Sequence, residues 1–443
     1  MFNFCKKIPL ILSVFFYSFC SCDTSVVVNI NKGVMKPVNI ALNLFDPTDS
    51  IRDNFLRVVG NDLYGTFLFR PIPENAFMQI LRGTAQKPTF TLWKTIGAQY
   101  LMNAELRVNG DALMVYAVLY DVLSEQVVGT LSISGTVKEW RKIAHIVANN
   151  IYERVTGEIG YFDTRILYVA LQRKAYGGKI YRLAMMDQDG YNHQYLSDGS
   201  TIVLTPRFSP NGKEFSFFSY KDKIVNGRRV PIFAGVYRYN LQTGSVDLIA
   251  RFNGMTYAPR YSPDGNLLVF SLSNRGSSSI YTFDLTTKRV TRLTKGKCID
   301  TSPSYSPDGR YIVFNSDRGG TQQLYIMNSD GSNVRRLSFQ KGRYATPVWS
   351  PRGDWIAFTK FGCGGFYIGV IHPDGSGERM LASGQLVEGP TWSPNGRVVM
   401  FSHQNYSGKE KIFSVDVTGY NKHEISTPTN ATDPEWSARA HTR

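Results

Sequence analysis

Pro303-Ser-Tyr-Ser-Pro-Asp-Gly309 is one of six near-copies of a short phrase in the second half of the chain. The others are Pro206-Arg-Phe-Ser-Pro-Asn-Gly212, Pro259-Arg-Tyr-Ser-Pro-Asp-Gly265, Pro347-Val-Trp-Ser-Pro-Arg-Gly353, Pro390-Thr-Trp-Ser-Pro-Asn-Gly396 and the truncated Pro434-Glu-Trp-Ser437. Successive first prolines lie 53, 44, 44, 43 and 44 residues apart. In each copy Pro presets φ and Gly accepts a positive φ, so the phrase is a tight turn. A β-rich stretch follows each turn, with an aromatic at a fixed place: Phe218, Phe270, Phe314, Phe358 and Phe401. A third strand then leads to a second turn, as at Asp330-Gly331 and Asp374-Gly375, and a fourth closes the repeat. A period near 44 with four strands per repeat predicts a β-propeller.

Strand counting predicts how the ring closes. The strand before the Ser-Pro turn (strand A) occurs six times, and so does the B-C-D trio after it. The first trio, from Arg165-Ile-Leu-Tyr-Val-Ala170, has no strand A before it, and Pro434–Ser437 has no trio after it. Pairing these two predicts six blades, with the C-terminus tied into the first and no open sheet edge. In this topology the A–B turns lie on one face, and the D–A and B–C loops share the other. The extra residues in Tyr220–Pro231, with Lys221, Lys223, Arg228 and Arg229, predict a long B–C loop on that second face. Cys298 and Cys363 map there too.

The first 160 residues read differently. Lys6 and Lys7, the apolar run Ile8–Phe19 and the small residues Ser18 to Cys22 have the layout of a cleaved secretory signal over residues 1–22. The run is too short to span a membrane. Cys20 and Cys22 leave two readings open, a small residue near the cleavage point or a lipidated cysteine. Residues 23–160 read as an α/β domain. It has strands at Ser25–Gly33 and Met35–Phe45, a helix over Ser50–Leu63 and another over Trp93–Tyr100. Strands at Tyr100–Val108, Ala112–Tyr120 and Gln126–Ser134 follow, then an amphipathic helix over Lys138–Val155. The expected class is therefore an α/β N-terminal domain followed by an all-β six-bladed β-propeller over residues 165–443.

Composition and motifs narrow the chemistry. Net charge is +15, or +13 without residues 1–22, but no run of five basic residues occurs. The basic residues stand singly among strands, which reads as a solvated surface rather than a nucleic-acid site. No G-x-S-x-G elbow and no phosphate-binding loop appear, and the six histidines form no metal-binding pair. Asp264 and Asp308 share a turn slot with Asn211, Asn395 and Arg352, so they are turn residues. Trp349, Trp392 and Trp436 share one blade position and read as core. The expectation is a protein without catalytic residues, metal or cofactor, and with Cys298 and Cys363 unpaired.

Together with the repeats, two further stretches carry a resemblance. They are Ala144-His-Ile-Val-Ala-Asn-Asn-Ile-Tyr-Glu-Arg-Val-Thr-Gly-Glu-Ile-Gly-Tyr-Phe-Asp-Thr-Arg-Ile166 and Val387-Glu-Gly-Pro-Thr-Trp-Ser-Pro-Asn-Gly396. With Ile30-Asn-Lys-Gly33, they make the chain similar to the TolB family of the Tol-Pal envelope system of Gram-negative bacteria. That resemblance implies a periplasmic, monomeric, non-enzymatic adaptor. The channel-side face of its propeller would bind the peptidoglycan-associated lipoprotein Pal, and through it the outer membrane. Its N-terminal segment would bind TolA. Other outer-membrane lipoproteins form a further partner class, and the implied role is outer-membrane integrity, protein import and envelope constriction in cell division. Carried onto this chain, the Pal-facing residues are Thr256, Tyr257, Asp300, Thr301, Tyr344, Thr346, Glu388 and Asp433. The TolA-binding segment, Val26–Ala41, contributes Val28, Ile30, Lys32, Gly33, Pro37 and Ile40. Two competing readings are a glycan- or peptidoglycan-binding propeller, supported by Tyr257 and Tyr344, and a lactonase- or lyase-like propeller with a channel metal.

Overall fold

The computed structural model describes residues 36–46, 48, 51–173, 178–225, 228–252, 255–274, 276–362 and 364–439. The signal at 1–22, the expected strand Ser25–Gly33, the recognition residues Val28, Ile30, Lys32 and Gly33, and Cys363 lie outside them. Lys36–Arg443 packs as one compact unit.

The N-terminal part is a five-stranded sheet with helices against it. Strands β1 (Val38–Phe45), β2 (Phe69–Pro71), β3 (Tyr100–Asn109), β4 (Ala112–Asp121) and β5 (Gln126–Thr136) order as β2-β1-β3-β4-β5. Helix α1 (Arg52–Gly65) connects β1 to β2, which pairs parallel to it, as β3 does on the other side. Alternation in Ile40, Leu42 and Leu44 supplies the face that buries Phe55, Val59 and Leu63 of α1. The short helix α2 runs over Phe90–Thr95, not Trp93–Tyr100 as expected. Gly97 takes φ +75° and donates its N–H to Lys94 O at 2.9 Å, which stops the helix before β3. Helix α3 (Trp140–Thr156) is preceded by a capping box between Thr136 and Glu139 and ends at left-handed Gly157.

Six four-stranded antiparallel sheets follow. Blade 1 joins Arg165–Arg173, Lys179–Asp187 and Gln194–Tyr195 to the C-terminal strand Asn430–Trp436. The closing strands pair Thr432 with Val169 and Trp436 with Ile166, as the strand count requires. Strands A of blades 2 to 6 are Ile202–Phe208, Met255–Tyr261, Thr301–Tyr305, Arg343–Trp349 and Leu386–Trp392. Phe270, Phe314, Phe358 and Phe401 are wholly buried, and Trp349, Trp392 and Trp436 are core, as expected.

One expectation is corrected. The stretch Tyr220–Pro231 is not a loop. Strands B and C of blade 2 continue through it as a hairpin, Glu214–Val225 against Arg228–Asn240, with Val225 opposite Arg228. The insertion supplies β-branched Ile224, Val225, Val230 and Ile232, which suit an extended ladder.

Candidate partner-binding site

The two faces of the propeller have different fates, decided by α3 and the link Gly157–Thr164. Glu158 accepts the Tyr152 hydroxyl at 2.9 Å and pairs with Arg352 at 3.2 Å and Arg397 at 3.7 Å. Asn395 Nδ2 donates to Ile159 O at 2.9 Å. Asn421 Nδ2 donates to Gly65 O. Arg141 of α3 pairs with Asp187 and Asp189, while Gln188 Nε2 donates to Asp62 Oδ1 at 3.0 Å. Most of these propeller residues belong to A–B turns (Arg352, Asn395) or C–D turns (Gln188, Asp189, Asn421). The α/β part therefore covers that face and leaves the D–A and B–C face open. Asp264 and Asp308 cap their own turns through Ser262 and Ser306, as turn residues do. Arg352 and Asn395, in the same slot, reach across to the α/β part. Asn395 still caps its own turn, its Oδ1 accepting from Ser393 Oγ at 2.8 Å, and Asn211, which also departs from Asp, makes only own-turn bonds among the described residues, so the residue in this slot does not by itself record the junction.

Where α1 and α3 meet the C–D turn of blade 1 lies a buried charge cluster. His145 Nδ1 meets Asp62 Oδ2 at 2.6 Å, and His145 Nε2 lies 3.9 Å from Asp189 Oδ2. Burial pushes the Asp62 carboxyl up to about 6, against the pull of His145. Burial lowers the His145 imidazole, but Asp62 and Asp189 outweigh it and the net direction is up. The three side chains lie close enough to hold a cation. Their oxygens are already engaged, Asp62 Oδ1 by Gln188 and Asp189 Oδ2 by Arg141, which fits a charge network better than a metal centre.

On the open face, each strand A pauses in a β-bulge before its proline. All six A–B pairings shift register there. The pre-proline residues Thr205, Ser302, Thr346 and Asp433 sit at φ of 46°, 53°, 45° and 52°, and Gly389 at 64°. Left-handed backbone is costly for β-branched Thr, and such strain collects at binding sites. Four of these five positions carry short polar side chains and the fifth is a glycine.

The expected site residues divide. Thr301 is half-buried and accepts from Asn315 Nδ2 at 2.7 Å. Thr346 is half-buried, its Oγ1 2.8 Å from Thr359 Oγ1. Glu388 is exposed, and Asp433 accepts the Thr205 N–H at 3.5 Å. Desolvation in the channel mouth raises both carboxyls. Asp433 and Glu410 push Glu388 further, whereas Arg207 opposes the rise of Asp433. Thr256 and Tyr257 lie on strand A of blade 3. Pro37 precedes β1, and Ile40 is a wholly buried residue of β1, in register with Pro71 and Tyr100.

Three of these positions correct the reading of an exposed recognition surface. Tyr344 is 0% exposed and donates its hydroxyl to Glu378 at 2.7 Å, packed on Phe358. An aromatic on strand A beside the blade phenylalanine is drawn into the core. Asp300 is 1% exposed and takes both its bonds from Arg318 Nη2, at 3.0 Å each. Ile40 is held inside the sheet. Cys298 forms no disulfide among the described residues, and Cys363 lies outside them.

Comparison with known proteins agrees with this architecture. Residues 152–440 match the family model described as the TolB beta propeller domain, and residues 26–128 match the TolB amino-terminal domain. The Tol-Pal system protein TolB of Rickettsia felis is 48% identical over 428 residues, covering 93% of this chain and 94% of the relative. That of Rickettsia peacockii is 49% identical over 429 residues, with the same coverage. The crystal structure of TolB from Acinetobacter baumannii has a TM-score of 0.80 at 25% identity, covering 91% of this chain and 97% of that one. An α/β part seated on one face of a six-bladed ring closed by its own C-terminus, matched along nearly its whole length, makes this chain a member of the TolB family, the propeller component of the Tol-Pal system.

Proposed function

We propose that the chain is a non-enzymatic periplasmic adaptor that binds Pal through the D–A and B–C face and TolA through the part of the N-terminal segment that precedes β1, Val26–Pro37. In doing so it supports outer-membrane integrity and constriction during division. The carrying observation is the asymmetry of the ring: one face is taken up by the α/β part, and the other opens on bulged strands with Thr301, Thr346, Glu388 and Asp433 around the channel. Nucleic acid is not a partner in this reading. Among the described residues no helix is long and apolar enough to cross a membrane. The glycan-binding alternative loses one of its two aromatics, because Tyr344 is buried.

Two experiments test the reading. Glu388→Lys on the open face is expected to weaken binding of soluble Pal by at least about tenfold, roughly 1.4 kcal/mol. Lys213→Glu, on the A–B side, should leave it unchanged at equal melting temperature. Equal Pal affinity in both variants, measured by calorimetry, removes the open face from the proposal. Deleting residues 23–33 is expected to abolish TolA capture while sparing Pal. The physical basis is strand addition by a short β-branched segment. Unchanged TolA affinity would remove the N-terminal segment from the interface.

A further inference from the structure

Directly after each strand A proline stands one residue of the innermost strand. The ring of six is Arg207, Arg260, Ser304, Val348, Thr391 and Glu435. Arg207 comes from blade 2, Arg260 from blade 3 and Glu435 from blade 1. Their charged ends nevertheless meet, because strands A are innermost. Arg207 Nη1 lies 3.5 Å from Glu435 Oε2, and Arg260 Nη1 lies 3.5 Å from Glu435 Oε1. Thr391 Oγ1 donates to Glu435 Oε2 at 3.3 Å.

This triad is unbalanced. Two guanidiniums share one carboxylate, and neither reaches it at the 2.7–2.9 Å of a strong charge-assisted bond. The three side chains are only 8%, 15% and 12% exposed for Arg207, Arg260 and Glu435. Arg207 as a residue is 93% buried, and its Nε has no hydrogen-bond partner among the described residues. Its Nη1 donates to its own neighbour, Pro206 O, at 2.7 Å. Of the other nearby acids, Asp433 is within electrostatic reach of Arg207 but makes no hydrogen bond to it among the described residues. Asp433 holds the Thr205 N–H, and Glu410 is paired with Lys179 at 2.7 Å. Burial and the proximity of Arg207 pull the Arg260 guanidinium down to about 10, the mark of a cation with too little counter-charge. A desolvated pair of planar donors whose N–H groups are loosely paired at 3.5 Å, one of them without a partner, is suited to an oxyanion.

We propose that Arg207 and Arg260 form a carboxylate-binding site inside the propeller channel, which Glu435 fills loosely from within and an acidic side chain of the docked partner enters from the open face. This inference rests on the adaptor reading. A partner that covers the channel mouth would exclude water from the pair and strengthen the contact, while an incoming carboxylate offers the closer geometry that Glu435 does not reach.

The test uses the mature chain and the variants Arg260→Gln, Arg260→Lys and Glu435→Gln, each first checked for an unchanged circular-dichroism spectrum. Inorganic phosphate, compared with chloride at equal ionic strength, should raise the melting temperature of the wild type. The rise should be larger in Glu435→Gln, where the internal competitor is neutral, and absent in Arg260→Gln. Soluble Pal should bind Glu435→Gln about tenfold more tightly and Arg260→Gln about tenfold more weakly than wild type, with Arg260→Lys between them because a point charge replaces the planar fork. A phosphate response that follows this order without any change in Pal affinity would overturn the partner carboxylate and assign the site to a free oxyanion. Identical phosphate and Pal behaviour in all four proteins would overturn the site itself. Failure of the wild type to bind Pal, with the phosphate order intact, would overturn the adaptor reading and leave the oxyanion site standing.

Discussion

A chain ending at Thr432 is expected to lose the cooperative melting of the full-length protein, either failing to fold or melting on the order of 10 °C lower. The truncation removes Asp433 to Trp436 from the strand that closes the ring, and with them three separate attachments. Glu435 and Trp436 pair with Leu167 and Ile166. The Trp436 ring is 7% exposed, meets Tyr161 edge-on at 5.7 Å and donates Nε1–H to Thr164 Oγ1 at 2.7 Å. Beyond it, Ser437 N–H donates to Arg165 O at 2.9 Å, and Arg439 pairs with Glu153 of α3. Trp436→Ala alone deletes a large buried side chain, for which a loss of about 3–5 kcal/mol is typical. Without the strand, blade 1 exposes the ladder edge of Arg165–Arg173 and the ring acquires the open edge that closure exists to avoid. Differential scanning calorimetry decides the matter, since a truncated chain with the full-length melting temperature would show that ring closure contributes nothing.

His145→Ala is expected to destabilise the protein by about 3–5 kcal/mol, because removing one member strands a buried charge rather than merely deleting a bond. Asp62 would keep only the Gln188 amide as a partner, in a site where both it and His145 are 2% exposed. The pair binds α1 to α3, while Gln188, Asp189 and Arg141 tie that pair to blade 1. The variant should therefore melt in two transitions, the α/β part first, where the wild type melts in one. The double variant Asp62→Asn/His145→Ala should recover part of the loss, as expected for coupled neighbours. The pH dependence has a definite sign. Both groups have folded-state values above their unfolded ones, so the native pair holds protons that the unfolded chain releases. Their stabilisation is fully present below the unfolded value of Asp, near about 4, and is lost as pH rises through the carboxyl at about 6 and then through the raised imidazole. In His145→Ala the Asp62 carboxyl, no longer pulled down by the imidazole, rises further and must ionise unpaired, so the variant loses stability over a wider pH range and the gap to wild type should widen between pH 5 and pH 8, by urea titration at each pH. A gap that shrinks would reverse the assignment.

Much of this was readable in the chain because it is local and repeated. The turn phrase, the blade phenylalanines and the unmatched first trio each concern a few neighbouring residues, and repetition six times over turns a weak signal into a strong one. The helix of α3 was readable for a similar reason, its apolar positions recurring at helical spacing. The stretch 93–100 was misplaced because Gly97 ends a helix that begins upstream of the tryptophan. The stretch 220–231 was misplaced because an insertion between strands looks the same in sequence whether it is coil or more ladder.

The sequence by itself determined the ring, its six blades, the strand that closes it and the α/β part before it, since hydrophobic period and turn chemistry act over distances the chain covers in a few residues. Only the tertiary structure decided which polar groups are available on the open face. Tyr344 and Asp300 turned out to be spent inside the blades. Arg207, Arg260 and Glu435, up to 228 positions apart, converge on one axis. Arg352 and Asn395 reach from their turns to the α/β part. The reason is that charge pairing and burial depend on how six separate sheets are set around a common centre, and no local pattern along the chain records that arrangement.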